Sequence, residues 1–206
     1  MIHRVAEFPV RPIRRAAYLY GRHNRRRKLD FARSIVDRTD AQSILIVGVH
    51  AMTDGLNNLI ERRLAEAESR VVGVGLEPTG PDWLDYQQGD GCALDFPDRS
   101  FDFVFSNAVI EHVEDQVGFV AEHHRVGRTW MLTTPNRLFP VEAHYHTLGT
   151  HWRHSWAPRG SITRLLSPGD LQHLLPADAS VHGHWWSPTL VAVGGSDQTQ
   201  ARGRMA

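Results

Sequence analysis

The side chains best suited to chemistry fall in a few short stretches. Glu142, His144, His146, His151 and His154 crowd one segment. Imidazoles there suit general-base work, because histidine titrates near neutrality, and also zinc or iron ligation. Their spacing matches no standard metal motif, so no metal is assigned; His144 and His146 read as proton acceptors, substrate contacts or plain loop packing. Glu111 and His112 place an acid beside a base, either facing a reaction or opening a helix whose dipole favours an early acid. Asp90 stands between Gly89 and Gly91, Glu77 follows the run VVGVG, and Gly48, Val49 and His50 follow SILIV.

Those groups need a frame. SILIVGV (43–49), RVVGV (70–74), DYQQ (85–88), FDFVFS (101–106) and TWMLTT (129–134) read as strands, most of them apolar runs of the buried parallel kind. Helices are expected over Leu29–Val36, after the capping residue Asp54 (with Leu56, Leu59, Ile60, Leu64 and Ala67 on one face), around Val113–Ala121, and over Asp170–Leu175. Val181–Trp186 and Thr189–Val193 predict a terminal hairpin. Asp102, inside the fourth strand, reads as structural, bonding backbone near the first loop. The segment 136–158 reads as a loop or lid. Its Trp152 and Trp156, with Trp185 and Trp186, either wall an apolar acceptor pocket or serve as core or interface. The alternation predicts an α/β fold: a doubly wound, mostly parallel, Rossmann-like sheet of seven strands with an antiparallel C-terminal hairpin. Ligands of such sheets sit beyond the carboxyl ends of the strands.

The chain of 206 residues is 41% hydrophobic, enough for one compact core, and its single cysteine, Cys92, excludes an internal disulfide framework. It lacks an apolar run of membrane-spanning length and an apolar stretch behind the N-terminal charges, so a cytoplasmic protein is expected. The zero net charge hides an asymmetry. Residues 1–28 carry nine basic side chains against Glu7 alone, leaving 14 basic and 22 acidic residues for the rest. This divides the chain into a basic arm or helical cap (1–40), a main domain (41–195) and a flexible tail (196–206). The arm folds back on the acidic body or meets an anionic substrate or membrane surface. Nucleic acid is less favoured, since few aromatics interleave the charges.

The ordered blocks SILIVGV, VVGVGLEP, GDGCALDFPDRSFDFVFSNAVIEHVED and TTPNRLFPVEAH resemble class I S-adenosylmethionine-dependent methyltransferases of the type-11-like branch, over residues 43–146. The resemblance implies S-adenosylmethionine as cofactor, with Gly48, Val49 and His50 in the first loop, Glu77 near the ribose, Asp90 and Gly91 at the adenine, and Asn107 beside the sulfonium. It implies methyl transfer to a small-molecule, glycan or lipid-linked acceptor, an anionic one among them, with His112, His144 or His146 as base. The chain also departs from the pattern. Ile46, His50 and Met52 stand at the acidic, second-glycine and third-glycine positions of the first motif, and Gly75 replaces the ribose-binding acid. The alternative is therefore a non-methylating relative: a scaffold, a partner or a repurposed enzyme.

Overall fold

The computed structural model describes residues 10–51, 59–66, 70–140 and 164–195. Seven strands form one sheet: β1 (Ser43–Val47), β2 (Arg70–Gly75), β3 (Asp85–Gln88), β4 (Phe101–Asn107), β5 (Gly127–Pro135), β6 (Ser180–His182) and β7 (Thr189–Gly195). Their spatial order is β3-β2-β1-β4-β5-β7-β6. The first five run parallel, and β7 lies antiparallel between β5 and β6. This is the doubly wound sheet with a terminal hairpin that the sequence predicts. Around it lie α1 (Val10–Thr39), α2 (Leu59–Ala65), α3 (Gln116–Val126), α4 (Pro168–Leu174) and a 3-10 turn at Ile110–His112. Among the described residues no helix is long and apolar enough to cross a membrane.

Alternation along β1 sorts the core into two halves. Ile44 and Ile46 join Phe103, Phe105 and Met131 on one face, under Ala32, Ile35 and Val36 of α1 and Ile60 and Leu64 of α2. Leu45 and Val47 join Val72, Val74, Val104, Trp130 and Leu132 on the other, under Phe119 and Val120 of α3 and Leu171 of α4. Burial on both faces is why these strands read as unbroken apolar runs. Since β1 pairs with β2 on one side and β4 on the other, the chain reverses direction across the sheet between β1 and β4, and the carboxyl edge at that point is where the ligand crevice of such a sheet is expected.

Several boundaries differ from those the sequence suggests, each for a local reason. The helix expected over Leu29–Val36 runs from Val10 to Thr39. β1 stops at Val47 because Gly48 turns with φ +87°. Glu111–His112 belongs to a single 3-10 turn; α3 starts later, at Gln116, where the Asp115 carboxylate accepts the Gly118 N–H at 2.8 Å. α4 begins at Pro168 behind a capping box, with Asp170 N–H to Ser167 Oγ at 3.1 Å and Ser167 N–H to Asp170 Oδ2 at 2.9 Å. The first hairpin strand ends at His182, since Gly183 turns the chain with φ +115°, and Trp185 and Trp186 fall in the connection.

At the opposite edge, Asp102 ties the start of β4 to the start of β1. It accepts the Ser43 hydroxyl at 2.7 Å and the N–H groups of Ser43 and Gln42 at 3.1 and 3.2 Å. Its bonds are thus at the far end of β1 from the first loop, not near it. Partial burial pushes the carboxyl up, but the Ser43 hydroxyl, the two N–H groups and Arg128 outweigh it and hold it below its ordinary value. A carboxyl held low in the folded state stabilises above its unfolded pKa and stops doing so as pH falls through the folded value. Asp102→Asn is therefore expected to cost roughly 1 kcal/mol at pH 7. The gap should narrow as pH falls below about 4, as read by urea unfolding at pH 7 and pH 3.

Candidate functional site

The carboxyl ends of five strands line up on one edge. Gln88 lies beside Gly75, Val74 beside Val47, Val47 beside Ser106, and Asn107 beside Thr133. The loops leaving this edge carry His50, Glu77, Asp90, Asn107, Glu111 and His112, most of the residues that the sequence singles out. His144 and His146 lie outside the described residues.

The first loop is shaped by close packing. A β-carbon on Gly48 would collide with the side chain of Val109, and one on Gly75 with the carbonyl oxygen of Val49. Val49 is buried, and both Gly48 and Val49 donate their N–H to Val74 O, at 2.8 and 3.0 Å. Gly75 is glycine because the first loop rests on it. The carboxylate comes two residues later, at Glu77, whose Oε2 accepts the Ala51 N–H at 2.8 Å. His50 is exposed, with Nδ1 3.8 Å from Glu77 Oε1. The Tyr86 hydroxyl fixes the turn by donating to Glu77 O at 2.6 Å.

Asp90 is exposed and turns its own loop: Oδ1 accepts the Cys92 N–H at 2.9 Å. Gly91 is wedged between helix and sheet, where a β-carbon would come within 2.6 Å of Phe119 and 2.9 Å of Val47. Arg125 of α3 clamps the segment that follows. Its guanidinium forks onto Glu122 at 2.7 and 2.8 Å and donates to the carbonyls of Leu94 at 2.9 Å and Phe96 at 2.8 Å. Glu122 in turn accepts the Leu94 N–H at 2.7 Å.

Asn107, at the end of β4, is held from three other elements. Its Oδ1 accepts Lys28 Nζ of α1 at 2.6 Å and Thr133 Oγ1 of β5 at 2.9 Å, while its Nδ2 donates to Glu61 Oε1 of α2 at 3.0 Å. Burial lowers the Lys28 ammonium to about 8, against the opposing pull of Glu61 and Glu111 and with help from Arg25. The next residue, Ala108, takes φ +57°, a conformation costly for any residue but glycine and concentrated at functional sites. Beyond it, fully buried Glu111 accepts the Thr134 hydroxyl at 3.0 Å, and His112 closes the 3-10 turn. Sequence reasoning places Asn107, Glu111 and Thr134 on this edge but misses Lys28, Glu61 and Thr133, which reach it from distant segments.

The far end of this edge is aromatic. Buried Asn136 donates from Nδ2 to the carbonyls of His184, Trp185 and Ser187 at 3.1, 3.2 and 2.7 Å. It thereby presents Trp185 and Trp186, an exposed edge-to-face pair 5.0 Å apart with Phe139 alongside. α1 passes over the same edge, with Asn24 Nδ2 donating to Thr189 Oγ1 at 2.8 Å.

Residues 56–129, which include β2, β3, β4, α3 and the Asp90 loop, match the family model described as a methyltransferase domain. That match covers about a third of the chain and is to the type-11 kind of methyltransferase domain. A curated relative from Mycolicibacterium smegmatis, named as a probable S-adenosylmethionine-dependent methyltransferase, is 41% identical over 58 residues. That stretch is 27% of this chain and 23% of the relative, so the match spans about a quarter of each. Two solved structures share the fold. The methyltransferase domain of bacterial CtHen1-CN aligns with TM-score 0.58 at 14% identity, covering 82% of this chain and 97% of that one. An S-adenosylmethionine-dependent methyltransferase from Mesorhizobium loti aligns with TM-score 0.56 at 15% identity, covering 80% and 95%.

The donor set on this edge fits the adenosine half of S-adenosylmethionine. Asp90, exposed beyond β3 with one oxygen spent on Cys92, can accept an amino hydrogen. Glu77, 44% exposed, has one oxygen on Ala51 and the other near His50, within reach of a hydroxyl donor. The first loop is the tightest part of the cradle, which makes it testable. Gly48→Ala combines a left-handed backbone with a clash on Val109 and should cost about 2–4 kcal/mol in unfolding free energy, measured by chemical denaturation.

Proposed function

We propose that the chain is an S-adenosylmethionine-dependent methyltransferase acting on a small-molecule acceptor. The observation that carries this reading is the row of ligand-ready groups on consecutive strand ends: Glu77 after β2, Asp90 after β3 and Asn107 at the end of β4, flanking the crevice between β1 and β4. When bound, the cofactor supplies an electrophilic methyl group on a sulfonium. The protein's part is to bind, orient and exclude water. Asp90 and Glu77 hold the adenosine by accepting its hydrogens, and Arg125 keeps the loop after Asp90 in place. Asn107, locked on three sides, fixes the wall beside the reacting centre. Trp185 and Trp186 give the acceptor an apolar surface. His112 stands on the same edge, and His144 and His146 belong to the segment that follows β5.

One observation favours a second reading. Glu77 spends an oxygen on the backbone of the first loop, and that loop carries His50 where the family pattern has glycine, which suits a chain that keeps the fold without transferring methyl groups. Calorimetry with S-adenosylhomocysteine separates the two. Binding should be saturable, and Asp90→Ala should weaken it at least tenfold, or about 1.4 kcal/mol. A folded chain that binds neither S-adenosylmethionine nor S-adenosylhomocysteine at millimolar concentration overturns the methyltransferase reading in favour of the second.

A further inference from the structure

Lys28 is the only lysine in the chain; every other one of its 23 Lys+Arg residues is arginine. Where charge alone is needed, on the exposed turns of α1 and on α2, the sequence uses arginine, as at Arg26, Arg27, Arg62 and Arg63. The exception is the position that reaches the crevice between β1 and β4 and touches Asn107 at 2.6 Å. The two cations differ in one property that matters at such a place. A guanidinium stays protonated at any pH a protein survives, whereas a buried ammonium can release its proton. A role limited to positive charge or to donating a hydrogen bond would not single out lysine.

The surroundings are built for a group that changes its protonation. Thr133 and Lys28 both donate to Asn107 Oδ1, and Asn107 Nδ2 donates to Glu61 Oε1, so the amide is fixed in one orientation. Glu61 is only 7% exposed, and its second oxygen, Oε2, is buried without a hydrogen-bond partner among the described residues. A buried carboxylate oxygen left open in this way calls for a donor, which an approaching acceptor or a newly formed ammonium can supply. The groups acting on Lys28 are Glu61 from α2 and Glu111 from the 3-10 turn, which favour the ammonium, and Arg25 from α1, which opposes it. With two carboxyl groups nearby, an anionic acceptor is disfavoured at this spot.

We propose that Lys28 is the proton acceptor of the site, its free amine taking the proton of a hydroxyl or amine acceptor docked against Asn107. The proton passes from the acceptor's oxygen or nitrogen to the Nζ lone pair. The electron pair left on that atom becomes the nucleophile, and Glu61 balances the ammonium until it returns the proton to water. Asn107, Glu61 and Thr133 are positioning residues. This rests on the methyltransferase reading and narrows its acceptor to hydroxyl or amine compounds.

A single lysine makes the test clean. The full chain grown on lysine carrying carbon-13 at Cε gives one side-chain resonance, followed by NMR from pH 6 to 11. It should titrate near 8 rather than near the ordinary 10.4, shift lower still in Glu61→Gln, and move when S-adenosylhomocysteine saturates the site. Calorimetry adds the functional arm. Ligand binding that excludes water from Lys28 favours the free amine, so wild-type affinity should rise severalfold between pH 7 and pH 9 relative to Lys28→Arg. That variant keeps the charge and cannot lose it; the ligand's own amine titrates equally in both. A resonance within half a unit of ordinary lysine, no response to saturating S-adenosylhomocysteine, or identical pH dependence in Lys28→Arg overturns the proposal while the methyltransferase reading stands. A folded wild type that does not bind S-adenosylhomocysteine overturns both.

Discussion

The amide of Asn107 joins four segments that are far apart in the chain. Lys28 approaches it from 79 residues away, Glu61 from 46 and Thr133 from 26. Bonds of this kind contribute modestly to stability one at a time, yet leaving any partner buried and unmatched is costly. The arrangement therefore fixes the seating of α1 and α2 against the carboxyl edge more strictly than apolar packing alone, which tolerates sliding. Its geometry follows from strand alternation: Phe103 and Phe105 point into the core beneath α1 and α2, so Asn107, two residues on, points the same way just where that core ends. The polar cluster is the layer that closes this hydrophobic face at the carboxyl edge.

In this arrangement α1 reaches the carboxyl edge directly. Ala32, Ile35 and Val36 anchor it in the core, and one or two turns earlier the same helix delivers Lys28 to β4 and Asn24 to β7. The residues that follow the core stripe backwards along the helix are those that reach the crevice.

The fold was legible because burial on both sheet faces writes long apolar runs into the sequence, and the β1, β2, β4 and β5 strands fell where those runs lie. Boundaries were less so. A positive φ at Gly48 or Gly183 depends on what the glycine packs against or how the turn closes, and the late start of α3 depends on Asp115 acting as cap in place of the earlier Glu111. Asp90 and Asn107 could be placed on the carboxyl edge because they sit at strand ends in an ordered block. Lys28 read as one more member of a basic arm, and Glu61 as a charge on an amphipathic helix. Their convergence is tertiary, and the one sign of it in the sequence is compositional: a lone lysine among arginines.

The departures in the first loop and at the end of β2 have a common cause. In the family pattern the second strand ends in an acid and the first loop is rich in glycine. Here Val49 lies in the core and its carbonyl presses on Gly75, so a side chain at position 75 and the present course of the loop exclude each other. An acid can return only where the strand has ended and its side chain has room, which is Glu77; once there, it caps the Ala51 N–H and steadies the loop that displaced it. The loss of loop glycines and the shift of the carboxylate are thus one coupled change in packing. Two independent losses would have left a loose loop and an acid without a partner, whereas this edge retains a carboxylate, a fixed turn and an exposed Asp90 in adjacent positions.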